Sequence, residues 1–288
     1  MATNISGTTR VCAVIGDPVE HSLSPRMHNA AFQALGLDYV YVAFHVKDVP
    51  KAVEGLVGFG IRGLSVTIPH KVSIMPYLDE ITPLARRIGA VNTVINENGR
   101  LIGTNTDGVG ALRALESVET VDGRTIALLG VGGAARGVAF TLASERKPKR
   151  IYLLHRREDQ EMARSMLSDL VSHSSVPVTT AELAPDDTRE IFKEADFIIH
   201  TTPVGMSPKV DECLVEEAWF SERHIVFDLI YNPAKTQLLQ RAERRFARIL
   251  NGVPMFVNQG AEQFRLWTGQ EPPVEIMRQA VESGLGYT

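Results

Sequence analysis

The sequence predicts an α/β protein built from two domains, in which strands alternate with helices. Its 288 residues suit two domains, since a domain usually has ~100–200 residues. From residue 11 onward, short apolar runs alternate with segments of helical periodicity, an order typical of parallel sheets covered by helices on both faces. Polar residues cluster where several of the apolar runs end. In open α/β sheets such strand ends carry the ligand site, so we expect one there.

The composition indicates an ordinary globular protein without a large charged partner. Hydrophobic residues make up 44% of the chain and charged residues 22%. The 30 basic and 34 acidic residues give a net charge of -4 and form no blocks, which argues against nucleic acid or a membrane surface as a partner. The eight histidines lack the close pairing of a zinc site, so we predict no metal.

Cysteine usage and the N-terminal segment favour a cytoplasmic location. Cys12 and Cys213 are too few for a disulfide framework, which suits a reducing compartment. The first ten residues lack the apolar core of a signal peptide. No apolar run approaches the ~18 residues of a membrane-spanning helix.

The first domain is predicted over residues 1–109. Asn98 and Gly99 lie between two runs of strand character, and this dipeptide is the strongest short signal for a β-hairpin. Three further strands are predicted upstream, over residues 11–16, 39–46 and 64–68.

Capping residues predict where the helices of this domain begin. Ser24 as an N-cap, followed by Pro25 at the first helical position, predicts the first helix. Asp48 is expected to begin the second. Thr82 and Pro83 repeat the pattern of the first and predict another helix.

The second domain is predicted over residues 110–255. Its strands are expected at residues 124–130, 150–155, 195–203 and 224–231. The last helices, from about Asn258, have no strand of their own. We therefore expect residues 256–288 to rejoin the first domain.

The segment after the first of these strands has the spacing of a dinucleotide-binding turn. Gly130, Gly132 and Ala135 match the pattern G-x-G-x-x-G/A, between a strand and a helix. The first glycine allows the tight turn, the second admits the pyrophosphate, and the small third residue lets helix and strand pack closely. This context predicts a doubly wound, Rossmann-type domain that binds a dinucleotide through Gly130, Val131, Gly132, Gly133, Ala134 and Ala135.

The end of the next strand bears on the choice of dinucleotide. NAD sites usually carry an acid at this point, whereas NADP sites carry arginine for the 2′-phosphate. Here the chain has His155, Arg156 and Arg157, followed by Glu158 and Asp159. The two arginines favour NADP, and the two acids leave NAD open.

Four strand ends of the first domain carry clustered polar residues, in the segments GDPVEHSLSP, SVTIPHK, GAVNT and GTNTDG. Each has a structural explanation by itself, because Ser24 and Asp107 suit helix caps and Asn92 and Asn105 suit turns. Capping explains their recurrence at four comparable places much less well. We therefore expect these segments to face a cleft between the two domains and to bind the substrate there.

Taken in order, these segments make the chain similar to the shikimate/quinate dehydrogenase family. The resemblance continues through GVGGAARG, YNPAKT and NQGAEQFRLWTG and so covers nearly the whole chain. It implies reversible reduction of the ring ketone of 3-dehydroshikimate to shikimate, a step of aromatic amino-acid biosynthesis, by an oxidoreductase that uses NADP. A monomer or a homodimer would fit.

The resemblance also implies roles for particular residues. Lys71 and Asp107 would be the catalytic pair. The substrate would contact Ser22, Ser24, Ser65, Thr67, Asn92, Tyr231 and Gln259. Besides the turn of residues 130–135, the cofactor would contact His155, Arg156, Arg157 and Glu158, and on its nicotinamide side Thr202, Leu229, Gly252 and Met255.

The chemistry of the reaction explains why a lysine and a carboxylate are needed. Hydride transfer to a ketone leaves an alkoxide that must receive a proton, so a donor has to lie within hydrogen-bond reach. The ammonium group of Lys71 can donate and also stabilise the negative charge. Asp107 would keep Lys71 charged and oriented and could take part in the proton transfer, so which of the two is the formal acid stays open.

Two departures from the family pattern leave the substrate and the cofactor open. Ser65 stands where most relatives have Asn. NADP-selective members usually have Asn-Arg-Thr/Ser where this chain has His155, Arg156 and Arg157. This pattern resembles the branch that also accepts quinate and is less strict about NAD or NADP.

Two more functions remain compatible with a chain of this kind. A non-catalytic sensor of quinate or shikimate would share the fold, but the intact Lys71 and Asp107 disfavour it. A folate-linked dehydrogenase could also use a lysine, but Ser22, Ser24 and the TNTDG segment disfavour that function.

Overall fold

The computed structural model describes residues 5–287, which form two compact units. The first unit contains the described residues up to Gly110 together with the segment from Phe256 onward, and the second is Ala111–Met255. The first boundary lies one residue after the position expected from the sequence. Both units are α/β, as predicted.

Twelve strands are present in the described residues. They are β1 Arg10–Gly16, β2 Tyr39–His45, β3 Gly63–Val66, β4 Glu80–Ile81, β5 Thr93–Glu97, β6 Arg100–Thr104, β7 Thr125–Leu129, β8 Arg150–His155, β9 Val178–Glu182, β10 Phe197–His200, β11 Ile225–Asp228 and β12 Arg248–Leu250.

Eleven α-helices are present in the same part of the chain. They are α1 Ser24–Ala34, α2 Val49–Gly58, α3 His70–Ser73, α4 Pro83–Ile88, α5 Asp107–Glu116, α6 Gly133–Glu145, α7 Gln160–His173, α8 Pro185–Glu194, α9 Gln237–Arg244, α10 Val253–Thr268 and α11 Val274–Gly284.

The sheet of the first unit is mixed, although the alternation of elements predicts a parallel one. Its strand order is β2-β1-β3-β5-β6-β4. The pairs that β1 makes with β2 and β3 are parallel, but β5 runs antiparallel to both β3 and β6. The β5–β6 pair is joined by the predicted hairpin at Asn98 and Gly99, whose φ angles of 55° and 95° suit a type I′ turn and reverse the chain.

The sheet of the second unit is parallel, with the strand order β12-β11-β10-β7-β8-β9. The order reverses between β7 and β10, and the carboxyl ends of these two strands therefore form the switch point at which such sheets bind ligands. Every residue of β7, β10 and β11 is buried. The edge strands β9 and β12, which are partly exposed, were missed by the sequence analysis because they lack an apolar run.

Three local expectations in the first unit were wrong. Ser24 is the first residue of α1 rather than its N-cap, a position held by Leu23 without a side-chain cap. The sequence analysis places Lys71 in the turn that follows the strand ended by Pro69, but residues 70–73 form the short helix α3, and Lys71 lies in it. Helix α10 begins at Val253 instead of near Asn258.

Trp267 fixes helix α10 to the sheet of the first unit. The indole ring is 1% exposed, and its Nε1 donates a hydrogen bond of 3.1 Å to the carbonyl oxygen of Val94 in β5. Gly63 in β3 lies directly beneath the ring, because a Cβ atom at that position would lie 2.3 Å from Trp267 Cδ1. The close approach therefore requires glycine in β3.

No helix among residues 5–287 has both the length and the apolarity needed to cross a bilayer. The same residues contain no group of three or more His, Cys, Asp or Glu side chains that could hold a metal ion.

Gly63→Ala tests the contact between α10 and the sheet. The new methyl group would overlap Trp267, and overpacking of a filled core typically costs about 1–3 kcal/mol. We expect the free energy of unfolding, measured with urea, to fall by this amount. Gly58→Ala is the matched control, since a Cβ atom there has no neighbour within 4 Å. A Gly63→Ala variant as stable as the control would contradict the packing described.

Candidate active site

Lys71 and Asp107 form an ion pair in the first unit. Lys71 lies in α3, directly after the N-cap residue Pro69 and His70, and Asp107 is the first residue of α5. The Lys71 Nζ atom is 2.6 Å from Asp107 Oδ2, and the two side chains are 30% and 15% exposed. An ammonium group held in this way can stabilise a negative oxygen beside it and donate a proton to it.

The side-chain amide of Asn92 binds the second oxygen of the Asp107 carboxylate. Its side chain is almost fully buried, and its Nδ2 donates to Asp107 Oδ1 at 2.7 Å. Its Oδ1 accepts from the backbone N–H of Thr106 at 2.8 Å. The amide thus ties the start of β5 to the start of α5. The structure joins three of the predicted residues, Lys71, Asn92 and Asp107, in one hydrogen-bonded group.

Ser65, in β3, has both of its hydrogen-bonding functions engaged within the protein. Its Oγ accepts from the hydroxyl of Tyr41 at 2.6 Å and donates to Gln263 Oε1 at 2.8 Å. The sequence analysis missed Gln263, which is 2% exposed. The available signal was its spacing, because Gln263 lies one helical turn after Gln259 and therefore on the same face of α10.

The other predicted substrate residues of the first unit make local contacts. Ser22 Oγ accepts from the backbone N–H of Ser24 at 3.3 Å. Gln259 Nε2 donates to the carbonyl oxygen of Phe256 at 2.9 Å. Thr67 follows β3, with its backbone N–H bonded to the carbonyl oxygen of Ile15 in β1. Among the described residues, no hydrogen bond links these four side chains to Lys71 or Asp107.

The predicted dinucleotide turn lies between β7 and α6 in the second unit. Gly130 has a φ of 108°, and a Cβ atom there would lie 2.8 Å from side-chain atoms of Thr201 and Thr202. A Cβ atom on Gly132 or Gly133 would meet nothing within 4 Å. The N-terminus of α6 therefore has open space on its glycine side, which fits a pyrophosphate.

The remaining residues of this turn have the expected distribution. Val131 and Ala135 are buried, whereas Ala134 is exposed. Buried Ala135 lets α6 pack closely against the sheet, the role of the small third residue in the motif.

The two arginines after β8 have different surroundings. Arg156 is paired with both neighbouring acids, at 3.3 Å from Glu158 Oε1 and 3.0 Å from Asp159 Oδ2. Arg157 is exposed, and it has no ion-pair partner among residues 5–287. His155 is buried, with Nδ1 2.9 Å from the carbonyl oxygen of Arg156. Arg157 is therefore free to meet an anion, whereas Arg156 is shared with carboxylates.

The residues predicted for the nicotinamide side lie at the ends of β10, β11 and β12. Thr202 Oγ1 is 2.5 Å from His200 Nε2, and the other ring nitrogen of His200 is 2.9 Å from Asp228 Oδ1. Gly252 lies against Leu229, because a Cβ atom on Gly252 would be 2.1 Å from the Leu229 carbonyl oxygen. The structure thus groups these segments within the second unit.

Two further predicted residues, Tyr231 and Met255, belong to the second unit and are partly buried. Burial raises the pKa of the Tyr231 hydroxyl. Tyr231 therefore stays neutral at physiological pH and can donate a hydrogen bond.

Two family models match this chain. The model of the shikimate dehydrogenase substrate binding domain matches residues 14–94. The model of the shikimate 5′-dehydrogenase C-terminal domain matches residues 252–282.

Relatives with this description match over almost their full length. The shikimate dehydrogenase (NADP(+)) of Desulforamulus reducens is 44% identical over 284 residues, which are 95% of each chain. That of Bacillus cereus is 46% identical over 277 residues, covering 95% of this chain and 98% of the relative. The crystal structure of shikimate 5-dehydrogenase from Listeria monocytogenes, in complex with shikimate and NAD, is 36% identical with a TM-score of 0.92, and the match covers 98% of this chain and 99% of that one. The chain therefore belongs to the shikimate dehydrogenase family.

Proposed function

We propose that this protein catalyses the reversible, NADP-dependent reduction of 3-dehydroshikimate to shikimate, a step of aromatic amino-acid biosynthesis. The observation that carries the proposal is the ion pair of Lys71 and Asp107, 2.6 Å long, with Asn92 on the second carboxylate oxygen. The reduction of a ketone needs a proton donor beside the carbonyl oxygen, and the ammonium group of this pair can supply it. Relatives that match almost the whole chain and are named for this activity support it.

Lys71 and Asp107 handle the proton in this proposal. The chemistry supplied by bound NADPH is hydride transfer to the carbonyl carbon. The developing alkoxide is stabilised by the Lys71 ammonium group, which also donates the proton. Asp107 accepts hydrogen bonds from Lys71 and Asn92 at the same time, so its carboxylate cannot rotate freely and holds the ammonium group in one orientation.

The substrate carboxylate and hydroxyls are assigned to small polar side chains. Ser22 and Ser24 bind the carboxylate, with Tyr231 near it, and Thr67, Asn92 and Gln259 bind the carboxylate or hydroxyls. Hydroxyl and amide groups both donate and accept, which suits a small polyhydroxylated acid. Ser65 is also expected to contact the substrate. Its hydroxyl hydrogen is donated to Gln263 and one lone pair accepts from Tyr41, so only its second lone pair is left to accept from the substrate.

The cofactor site is assigned to the second unit. The glycine turn of residues 130–135 receives the pyrophosphate, and Arg156 and Arg157 receive the 2′-phosphate. Glu158 and Asp159 compete for Arg156, which lowers the advantage of NADP over NAD. We therefore propose that NADP is preferred and NAD is also accepted.

Quinate is a second candidate substrate, favoured by Ser65 and by the residues 155–159. Steady-state kinetics with shikimate and quinate, each with NADP and with NAD, distinguish the candidates. The highest kcat/KM is expected for shikimate with NADP. If the protein oxidised neither shikimate nor quinate, the proposed function would be wrong.

We propose a cytoplasmic location for the protein. A cytoplasmic location is supported by Cys12 and Cys213, which are both free thiols. A monomer or a homodimer is proposed for the assembly, and sedimentation equilibrium measures which one forms.

Lys71→Ala should remove most of the turnover. A group that acts in proton transfer contributes about 10²–10⁴-fold to the rate, so kcat should fall by this factor while KM for shikimate stays within a few-fold. Lys51→Ala is the matched control, since Lys51 is an exposed lysine of the same unit paired with Asp48. A kcat for Lys71→Ala within about 3-fold of the parent would show that the role is misassigned.

Ser22→Ala and Ser24→Ala should weaken substrate binding. Each loses one hydrogen bond to the carboxylate, and KM for shikimate should rise by the equivalent of about 1–3 kcal/mol. The Kd of NADP measured without shikimate should not change. Because Leu23 and not Ser24 is the N-cap of α1, Ser24→Ala loses no capping hydrogen bond. Ser22→Ala removes the bond that Ser22 Oγ accepts from the backbone N–H of Ser24, so thermal melts of both variants are the control. A weaker Kd for NADP would move the serines out of the substrate site.

Replacing each arginine after β8 should separate the two cofactors. Arg157→Ser should lower kcat/KM with NADP by about 1.5–3 kcal/mol, because a hydrogen bond to the 2′-phosphate is lost, and leave NAD unaffected. Arg156→Ser should act in the same direction but less strongly, since Glu158 and Asp159 already hold Arg156. Equal losses with NAD and NADP would disprove the arginine assignment and make Glu158 the next residue to replace.

A further inference from the structure

A continuous chain of hydrogen bonds within the first unit ends on the carboxylate of Asp107. It begins at the hydroxyl of Tyr41 in β2 and crosses β3, α10 and β5. Its members, in order, are Tyr41, Ser65, Gln263, Thr93, Asn92 and Asp107, with consecutive distances of 2.6, 2.8, 2.9, 2.7 and 2.7 Å.

Backbone groups fix the direction of the hydrogen bonds at Asn92. The N–H of Thr106 can only donate, so the atom of Asn92 that lies 2.8 Å from it must be the oxygen. The Asn92 NH₂ group consequently faces Asp107 Oδ1. The opposite orientation would place two oxygens against each other, at a cost to the partly buried carboxylate.

The orientation of Gln263 is fixed in the same way. Its Nε2 lies 3.3 Å from the carbonyl oxygen of Asn92, which can only accept, and 2.9 Å from Thr93 Oγ1. Thr93 Oγ1 accepts there, and because Asn92 Oδ1 can only accept, the hydroxyl of Thr93 is the donor in the 2.7 Å bond between them. Gln263 Oε1 accepts from Ser65, and Ser65 accepts from Tyr41. Every bond of the chain thus points toward Asp107.

We propose that Gln263 is a positioning residue for the Lys71–Asp107 pair. Its Nε2 donates to Thr93 Oγ1 and to the Asn92 carbonyl oxygen, and Thr93 donates to Asn92 Oδ1. Gln263 thereby holds in place the Asn92 amide, whose orientation the backbone N–H of Thr106 sets. Ser65 acts as the anchor of Gln263. This inference rests on the proposed function, because it gives this series of hydrogen bonds the task of positioning the two residues that handle the proton.

Gln263→Met tests the proposal, because methionine keeps the length of the side chain but neither donates nor accepts a normal hydrogen bond. We expect kcat for shikimate oxidation to fall about tenfold, the scale for one weakened hydrogen bond to a charged group. The Kd of NADP without shikimate should not change. Thr93→Val interrupts the chain at the next link and should have the same effect, which keeps the test valid if Gln263→Met fails to fold.

Trp267→Phe is the matched control. Trp267 lies one turn further along α10, is equally buried, and donates to Val94 outside the chain. We expect a lower melting temperature and an unchanged kcat for this variant. Equal losses of kcat in Gln263→Met and Trp267→Phe would reduce the role of Gln263 to stability of the helix, and an unchanged kcat in Gln263→Met would overturn the proposal.

A measurement without substrate separates this inference from the proposed function. The side-chain amide resonances of Asn92 in the NMR spectrum should shift in Gln263→Met and Thr93→Val but not in Trp267→Phe. Unchanged Asn92 resonances in the first two variants would overturn the positioning role. If the parent protein did not oxidise shikimate, the proposed function would fail and the NMR result would still decide whether Gln263 positions Asn92.

Discussion

The side-chain amide of Asn92 is the interaction on which the candidate site of the first unit depends. It accepts from the backbone of Thr106 and donates to Asp107, so it joins the start of β5 to the start of α5. A buried amide that lost either partner would carry an uncompensated polar group, which is costly in a protein interior. The same bonds that satisfy Asn92 therefore determine where the carboxylate beside Lys71 lies.

Much of the fold was predictable because its signals are local. Asn98-Gly99 requires positive φ angles that few other residues adopt, and the buried strands of the second unit are continuous apolar runs. The sequence-based predictions failed where contacts between distant parts of the chain determine the local structure. Ser24 has the chemistry of an N-cap, yet the helix starts at it. The edge strands β9 and β12 are defined by their pairing partners and by no pattern of their own.

The candidate site was predictable as a set of residues but not as a set of bonds. Motif order placed Lys71, Asn92 and Asp107 among the functional residues, and the structure adds that they contact one another. Gln263 was missed because a glutamine on a helix of mixed polarity looks like a surface residue in the sequence. Likewise, HRRED contains two arginines that the sequence does not distinguish, and the structure shows that the acids hold Arg156 and leave Arg157 exposed.

The return of α10 to the first unit has a consequence for how the protein is made. Trp267 donates to Val94, which precedes it by 173 positions, and the whole second unit lies between them in the chain. During synthesis the second unit leaves the ribosome complete, whereas the sheet of the first unit still lacks the helix that covers Gly63. The second unit is continuous in sequence and can therefore fold before α10 is synthesised, whereas the first unit cannot complete its core until then. Until then, the apolar face over β3 and β5 is the surface that a chaperone would need to shield.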